Sequence, residues 1–185
     1  MRDGQDAEKS KINRRNVLLL LGGLIGATGI IDSIISLGNR ITPQGIVIHH
    51  SALPASEGLE DIEKLHISRG FGIFYWYRIY HIGYHYIIQA NGNVVPIRPE
   101  HLQGAHARGA NDMIGICVLG NFDSSAGNAV PTIEQMQSLR ALSKTLLAKY
   151  QFSIADVHKH NQIDGYTVCP GDHFPFNELL ASLQS

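Results

Sequence analysis

Gly45-Ile46-Val47-Ile48-His49-His50-Ser51 is the stretch that decides the fold. Three β-branched apolar residues run together without a polar break and end on two histidines. An unbroken run of this length suits a strand buried on both faces, the kind found in sheets covered by helices. Side chains alternate along a strand, so one of His49 and His50 can face a site while the other packs.

Working outward, Pro54 to Gly58 reads as a loop. Leu59 to Ser68 has apolar or amphipathic positions at 59, 62, 65 and 66, which predicts a short helix closed by Arg69-Gly70. Residues 71–80 hold Phe71, Phe74, Tyr75, Trp76, Tyr77 and Tyr80 and read as a loop or strand covering the core. Tyr84 to Gln89 and Val94 to Ile97 flank Ala90-Asn91-Gly92-Asn93, a hairpin signal because Asn and Gly both tolerate positive φ. Ile114 to Phe122 is a further apolar strand, with Cys117 inside it as a small buried hydrophobe. Thr132 caps the clearest helix, with Gln135 in the capping-box position and Ile133, Met136, Leu139, Leu142, Leu146 and Tyr150 at helical spacing. A short strand around Ile154 to Val157, a turn-rich segment from Cys169 to Phe176 and a final helix from Asn177 complete the domain. Strands interspersed with helices indicate an α/β class with a mixed central sheet.

The N-terminus has a different character. Its first 16 residues are polar and carry Arg2, Lys9, Lys11, Arg14 and Arg15; Val17 to Ile31 then has no charge. Basic residues followed by an apolar stretch read as an export signal or anchor, with the basic side in the cytoplasm. Asn13-Arg14-Arg15-Asn16-Val17-Leu18 resembles a twin-arginine export motif. Residues 1–39 are therefore expected to be a signal or anchor segment, with residues 17–37 as the membrane-seeking part. Residues 40–185 are expected to be one catalytic domain, exported to the periplasm or cell envelope and monomeric.

Composition limits the chemistry. A net charge of -1 gives no footprint for nucleic acid, and two cysteines cannot build a disulfide scaffold. Ten histidines, all after residue 48, supply groups that bind metals or move protons near neutral pH. Soft and borderline ligands gather in three places: His49-His50, His158-Lys159-His160 and Cys169. Two imidazoles and one thiolate suit zinc and leave a fourth position open for water.

Several pieces in order carry a resemblance. They are Ile46-Val-Ile-His-His-Ser-Ala52, Ile82-Gly-Tyr-His-Tyr-Ile-Ile88, Asn91-Gly-Asn93, Gly104-Ala-His-Ala107, Ile114-Gly-Ile-Cys-Val-Leu-Gly-Asn-Phe122, the helix from Thr132 to Tyr150, and Cys169-Pro-Gly171. Together the chain resembles the zinc-dependent N-acetylmuramoyl-L-alanine amidases, which include phage amidase-type lysozymes and peptidoglycan recognition proteins. The resemblance implies that His49 and Cys169 bind zinc. It places the second ligand eight residues before the cysteine, where Asn161 stands; His160 is the nearest candidate and His158 the next. It implies that Tyr84 is the catalytic tyrosine, that Thr167 is a second polar helper, and that His106 lies near the substrate groove as a muropeptide contact. Arg108 and Asn111 read as candidate contacts to peptide carboxylates or backbone. The implied activity is hydrolysis of the amide between N-acetylmuramic acid and L-alanine of the stem peptide; the alternative is a peptidoglycan-binding module without catalysis.

Overall fold

β1 (Ile46–His50) is buried along its whole length, as its apolar run predicts. The computed structural model describes residues 39–54 and 56–184. The expected signal or anchor segment, including residues 17–37, lies outside the described residues. Among those described, no helix is long and apolar enough to cross a membrane.

After β1 come α1 (Leu59–Ser68), β2 (Ile73–Tyr75), β3 (Arg78–Tyr80), β4 (Tyr86–Ile88), β5 (Val94–Pro96) and β6 (Ile114–Val118). Then follow α2 (Ile133–Tyr150), β7 (Val157–Lys159), α3 (His160–Ile163) and α4 (Phe176–Leu183). Five strands form one mixed sheet in the order β5-β4-β6-β1-β7. Only β4 and β5 pair antiparallel; β4–β6, β6–β1 and β1–β7 are parallel. One face packs Ile46, Ile48, Ile114, Ile116 and Val118 with Leu139 and Leu146 of α2 and Leu179 of α4. The other carries Val47 with Ala107 and Ala110, and Cys117 and Ile87 with Ile62 of α1. Burial on both faces explains why β1 and β6 lack a polar alternation.

Four expectations change in detail. The aromatic stretch 71–80 is a separate two-stranded hairpin, β2 with β3. Its root packs, with Ile73 7% exposed, but Trp76 and Tyr77 at its turn are 75% and 83% exposed and cover no core. At residues 90–92 only Gly92 takes a positive φ, and Gln89 N–H bonds to Asn93 O while Gly92 N–H bonds to Gln89 O. This is a three-residue loop closing on a left-handed glycine, in place of a two-residue turn. The strand expected over 114–122 stops at Val118, because the Ser51 hydroxyl takes over the Gly120 N–H and carbonyl. Near residue 154 a 3-10 turn, Ile154–Asp156, stands where a strand was expected, since the Asp156 carboxylate accepts from Ser153 N–H and Oγ–H. The strand begins only at Val157.

α2 is closed by the expected capping box: Thr132 Oγ1 accepts from Gln135 N–H, and Gln135 Oε1 accepts from Thr132 N–H. Its buried stripe runs through Gln135, Leu139, Ser143 and Leu146, whereas Ile133 is 73% exposed.

Candidate metal centre

The register of the parallel strands brings the candidate ligands together. Ile46, Val47 and Ile48 of β1 stand beside Val157, His158 and Lys159 of β7. One step further along the same register sets His49 level with His160, at the carboxyl ends of two neighbouring parallel strands, where open α/β sheets place their sites. His158 is level with Val47, one pleat further from those ends. The His49 and His160 rings are 4.5 Å apart between centroids.

Cys169 arrives from the loop after α3. Asn161 N–H bonds to Cys169 O at 2.9 Å, stapling the first turn of α3 to that loop. The stretch between them bulges outward: Asp164 accepts from Thr167 N–H, and Tyr166 is 94% exposed. That bulge accommodates the nine-position separation of His160 and Cys169, one more than the resemblance implies, while both residues still reach the cluster.

The ligand atoms of His49, His160 and Cys169 lie within 4.8 Å of one another. His160 Nε2 is buried without a hydrogen-bond partner among the described residues. Such an orphan is costly unless something else occupies its lone pair. Cys169 Sγ lies 3.7 Å from His49 Nδ1. Zinc–sulfur and zinc–nitrogen bond lengths around a tetrahedral ion give an edge of about 3.6 Å. The residues present therefore fit a metal ion.

Electrostatics agree with that fit. Burial, reinforced by His106 and His160, holds His49 well below the ordinary imidazole range, and burial lowers His160 as well. Both rings are neutral at pH 7 and offer lone pairs. Burial pushes the Cys169 thiol up to about 12, against the hydrogen bond it accepts from His50 N–H. Without a cation it keeps its proton. His50, on the opposite face of β1, accepts Phe122 N–H through Nδ1 and packs, as the alternation predicts.

Tyr84 sits beside the cluster, its ring 5.1 Å from that of His49. Burial, with Cys117 and Cys169 nearby, pushes its phenol well above the ordinary range, so it is a hydrogen-bond donor and not a base. Thr167 Oγ1 accepts from Cys169 N–H at 3.1 Å, which leaves its own hydrogen to donate elsewhere. His106, which the resemblance implies as a muropeptide contact, stands beside His49 with ring centroids 5.0 Å apart. It is buried, its Nδ1 lies 3.0 Å from His49 Nε2, and its Nε2 lies 3.0 Å from Met113 O. Both ring nitrogens are thereby engaged within the protein. Asn111 Oδ1 is likewise taken up by the N–H groups of His106 and Ala107, while Arg108 is exposed.

Two supports were not singled out from the sequence. His66 accepts Gly83 N–H through Nδ1 and lies 5.3 Å from the Tyr84 ring. Arg98, 3% exposed, donates to the carbonyls of Tyr80, Ile82 and Gln103 and so fixes the approach to Tyr84. An arginine inside Pro96-Ile-Arg-Pro99 was the available signal, but its partners are carbonyls that leave no pattern in the sequence.

Residues 39–172 match the family described as N-acetylmuramoyl-L-alanine amidase. The endolysin of Enterobacteria phage T3 is 38% identical over 123 residues, covering 64% of this chain and 76% of the phage protein. The solved structure of N-acetylmuramoyl-L-alanine amidase LysC from Clostridium intestinale superposes with a TM-score of 0.67 at 35% identity, over 78% of this chain and 87% of that one. Drosophila peptidoglycan recognition protein SD shares the fold, with a TM-score of 0.60 at 23% identity over 76% of this chain and 82% of that one. The match over residues 39–172, with the shared sheet and the His49, His160 and Cys169 cluster beside Tyr84 inside it, leads to one conclusion: the chain belongs to the N-acetylmuramoyl-L-alanine amidase family.

Proposed function

We propose that this protein is a zinc-dependent peptidoglycan amidase. Its reaction is hydrolysis of the amide joining the lactyl group of N-acetylmuramic acid to L-alanine of the stem peptide. The observation that carries the reading is the convergence of His49, His160 and Cys169 beside Tyr84 in a chain of this family. An amide is a weak electrophile with a poor leaving group; zinc, when bound, supplies the Lewis acidity that activates water and polarises the carbonyl. His49 and His160 contribute neutral donors, and Cys169 contributes a thiolate once it exchanges its proton for the cation. Tyr84 keeps its phenolic proton and donates it in a hydrogen bond to the oxygen on which negative charge develops. Thr167 donates its hydroxyl hydrogen toward the same region. No carboxylate is assigned as a base.

The rival reading, a binding module without catalysis, is motivated by Asn161 standing where the family's histidine is expected. The proximity of His160 to His49 and Cys169 argues for the enzyme. Residues 1–39 complete the proposal as an export or anchor segment that delivers the domain, residues 40–185, to the cell envelope. Fractionation of expressing cells into membrane and soluble pools tests that part.

The activity is tested by mass analysis of products from a defined muropeptide. The expected product is a stem peptide with a new L-alanine amine, lost on chelation and restored by zinc. Cys169→Ala is expected to abolish it, and Tyr84→Phe to lower kcat by about 100-fold or more. Full turnover by both variants refutes the mechanism, and muropeptide binding without any new amine favours the binding module.

A further inference from the structure

Behind His49 lies a chain of hydrogen bonds whose direction is fixed by its far end. His49 Nε2 is 3.0 Å from His106 Nδ1, and His106 Nε2 is 3.0 Å from the Met113 carbonyl oxygen. A carbonyl only accepts, so His106 Nε2 carries the hydrogen and His106 Nδ1 is bare. A bare nitrogen also only accepts, so the hydrogen between the two rings belongs to His49 Nε2. His49 Nδ1 is then left with its lone pair, on the side where Cys169 Sγ stands 3.7 Å away. One backbone carbonyl thus sets the tautomers of two histidines.

We propose that His106 is a positioning residue of the metal centre, accepting the Nε2–H of His49 and so holding His49 Nδ1 bare and aimed at the cation. The proposal rests on the reading of His49 as a ligand. The surroundings are built for this ring. Asn111 Oδ1 fixes its backbone by accepting from His106 N–H at 2.9 Å and Ala107 N–H at 3.1 Å. Gly115 of β6 and Gly104 clear space for it: a Cβ on either would fall 2.5 Å or 2.4 Å from His106 Cδ2. His85 meets it edge-on at 5.7 Å and is itself tied to Gly115 N–H and Leu102 O. The chain ends on a carbonyl, which cannot take up a proton, so the histidine pair holds a proton in place and does not relay one. Partners of this kind typically set metal affinity within a factor of about 10–100.

The test uses the purified chain, zinc titrated against a competing chelator, and nitrogen-15 NMR of the histidine rings in the metal-free protein. Wild type is expected to show a His49 ring protonated on Nε2 and a scalar coupling across the hydrogen bond to His106 Nδ1. His106→Leu is expected to weaken zinc binding by roughly 10–100-fold. His106→Asn, whose side-chain oxygen falls near the place of Nδ1, is expected to recover most of that loss. A folded His106→Leu that holds zinc within about threefold of wild type overturns the role. A His49 ring protonated on Nδ1 overturns it too, and that measurement needs no variant. A wild type that shows the coupling but takes up no zinc instead overturns the metal reading on which the role depends.

Discussion

Gln135 shows how much a single side chain can carry. Its Oε1 closes the capping box of α2, while its amide donates to Leu119 O at 2.8 Å and Ile88 O at 3.3 Å. It therefore ties the helix start to the ends of β4 and β6, and it is 1% exposed. The cap was legible because Thr-x-x-Gln is a local pattern. The two donations were not, because their acceptors lie 47 and 16 positions away. Gln135→Glu separates the functions: the carboxylate still accepts from Thr132 N–H but cannot donate, and it faces two buried carbonyls. We expect it to destabilise the fold by about 2–4 kcal/mol, well beyond a lost cap. A urea midpoint unchanged from wild type would show that the donations are dispensable. The same contrast holds at the metal centre. The resemblance singles out His49 and Cys169, whereas the histidine behind His49 and the loop that seats His160 depend on residues distant in the chain.

Among the elements, the β2–β3 hairpin departs furthest from expectation. Trp76 and Tyr77 turn it with φ of 49° and 59°, a conformation that suits Asn and Gly. A run of aromatics reads as core, since burial is the usual fate of such area. Here the stretch is anchored at its root, where Phe71 packs on His66, and again beside its turn, where Arg40 donates to Tyr75 Oη, while Trp76 and Tyr77 stand in solvent. Periodicity could not show this, because the turn itself is aromatic. Left-handed backbone costs about 1–2 kcal/mol per ordinary residue. The double substitution Trp76→Asn with Tyr77→Gly is therefore expected to raise Tm. A fall in Tm would mean that contacts of the two rings outweigh the backbone cost. The α2 helix and the β4–β5 hairpin were the most legible elements, each punctuated by residues with only one comfortable role.

For the whole molecule, buried neutral histidines set the response to acid. Burial lowers His66 and His85 from 6.5 to about 4, and they are 3% and 0% exposed. The unfolded chain takes up these protons first as pH falls, so folding stability is complete above 6.5 and declines toward 4. Each ring forfeits about 3 kcal/mol across that interval. Together they consume much of the roughly 5–15 kcal/mol that holds an ordinary domain folded. Urea midpoints at pH 7 and pH 5 check this; a flat profile would mean that the rings charge without unfolding.

The fold class was legible because β1 is apolar up to its two closing histidines and β6 is apolar throughout, and only a sheet covered on both sides accommodates two such strands. The parallel pairing of β6, β1 and β7 also has a consequence in time. Crossovers join these strands, and Cys169 follows His49 by 120 positions. At about 5–20 residues per second, a growing chain exposes His49 roughly 10 s before Cys169. On the proposed reading a cation would have no seat until Cys169 has emerged, so a nascent chain stalled before α3 would carry His49 without the two partners that complete the site.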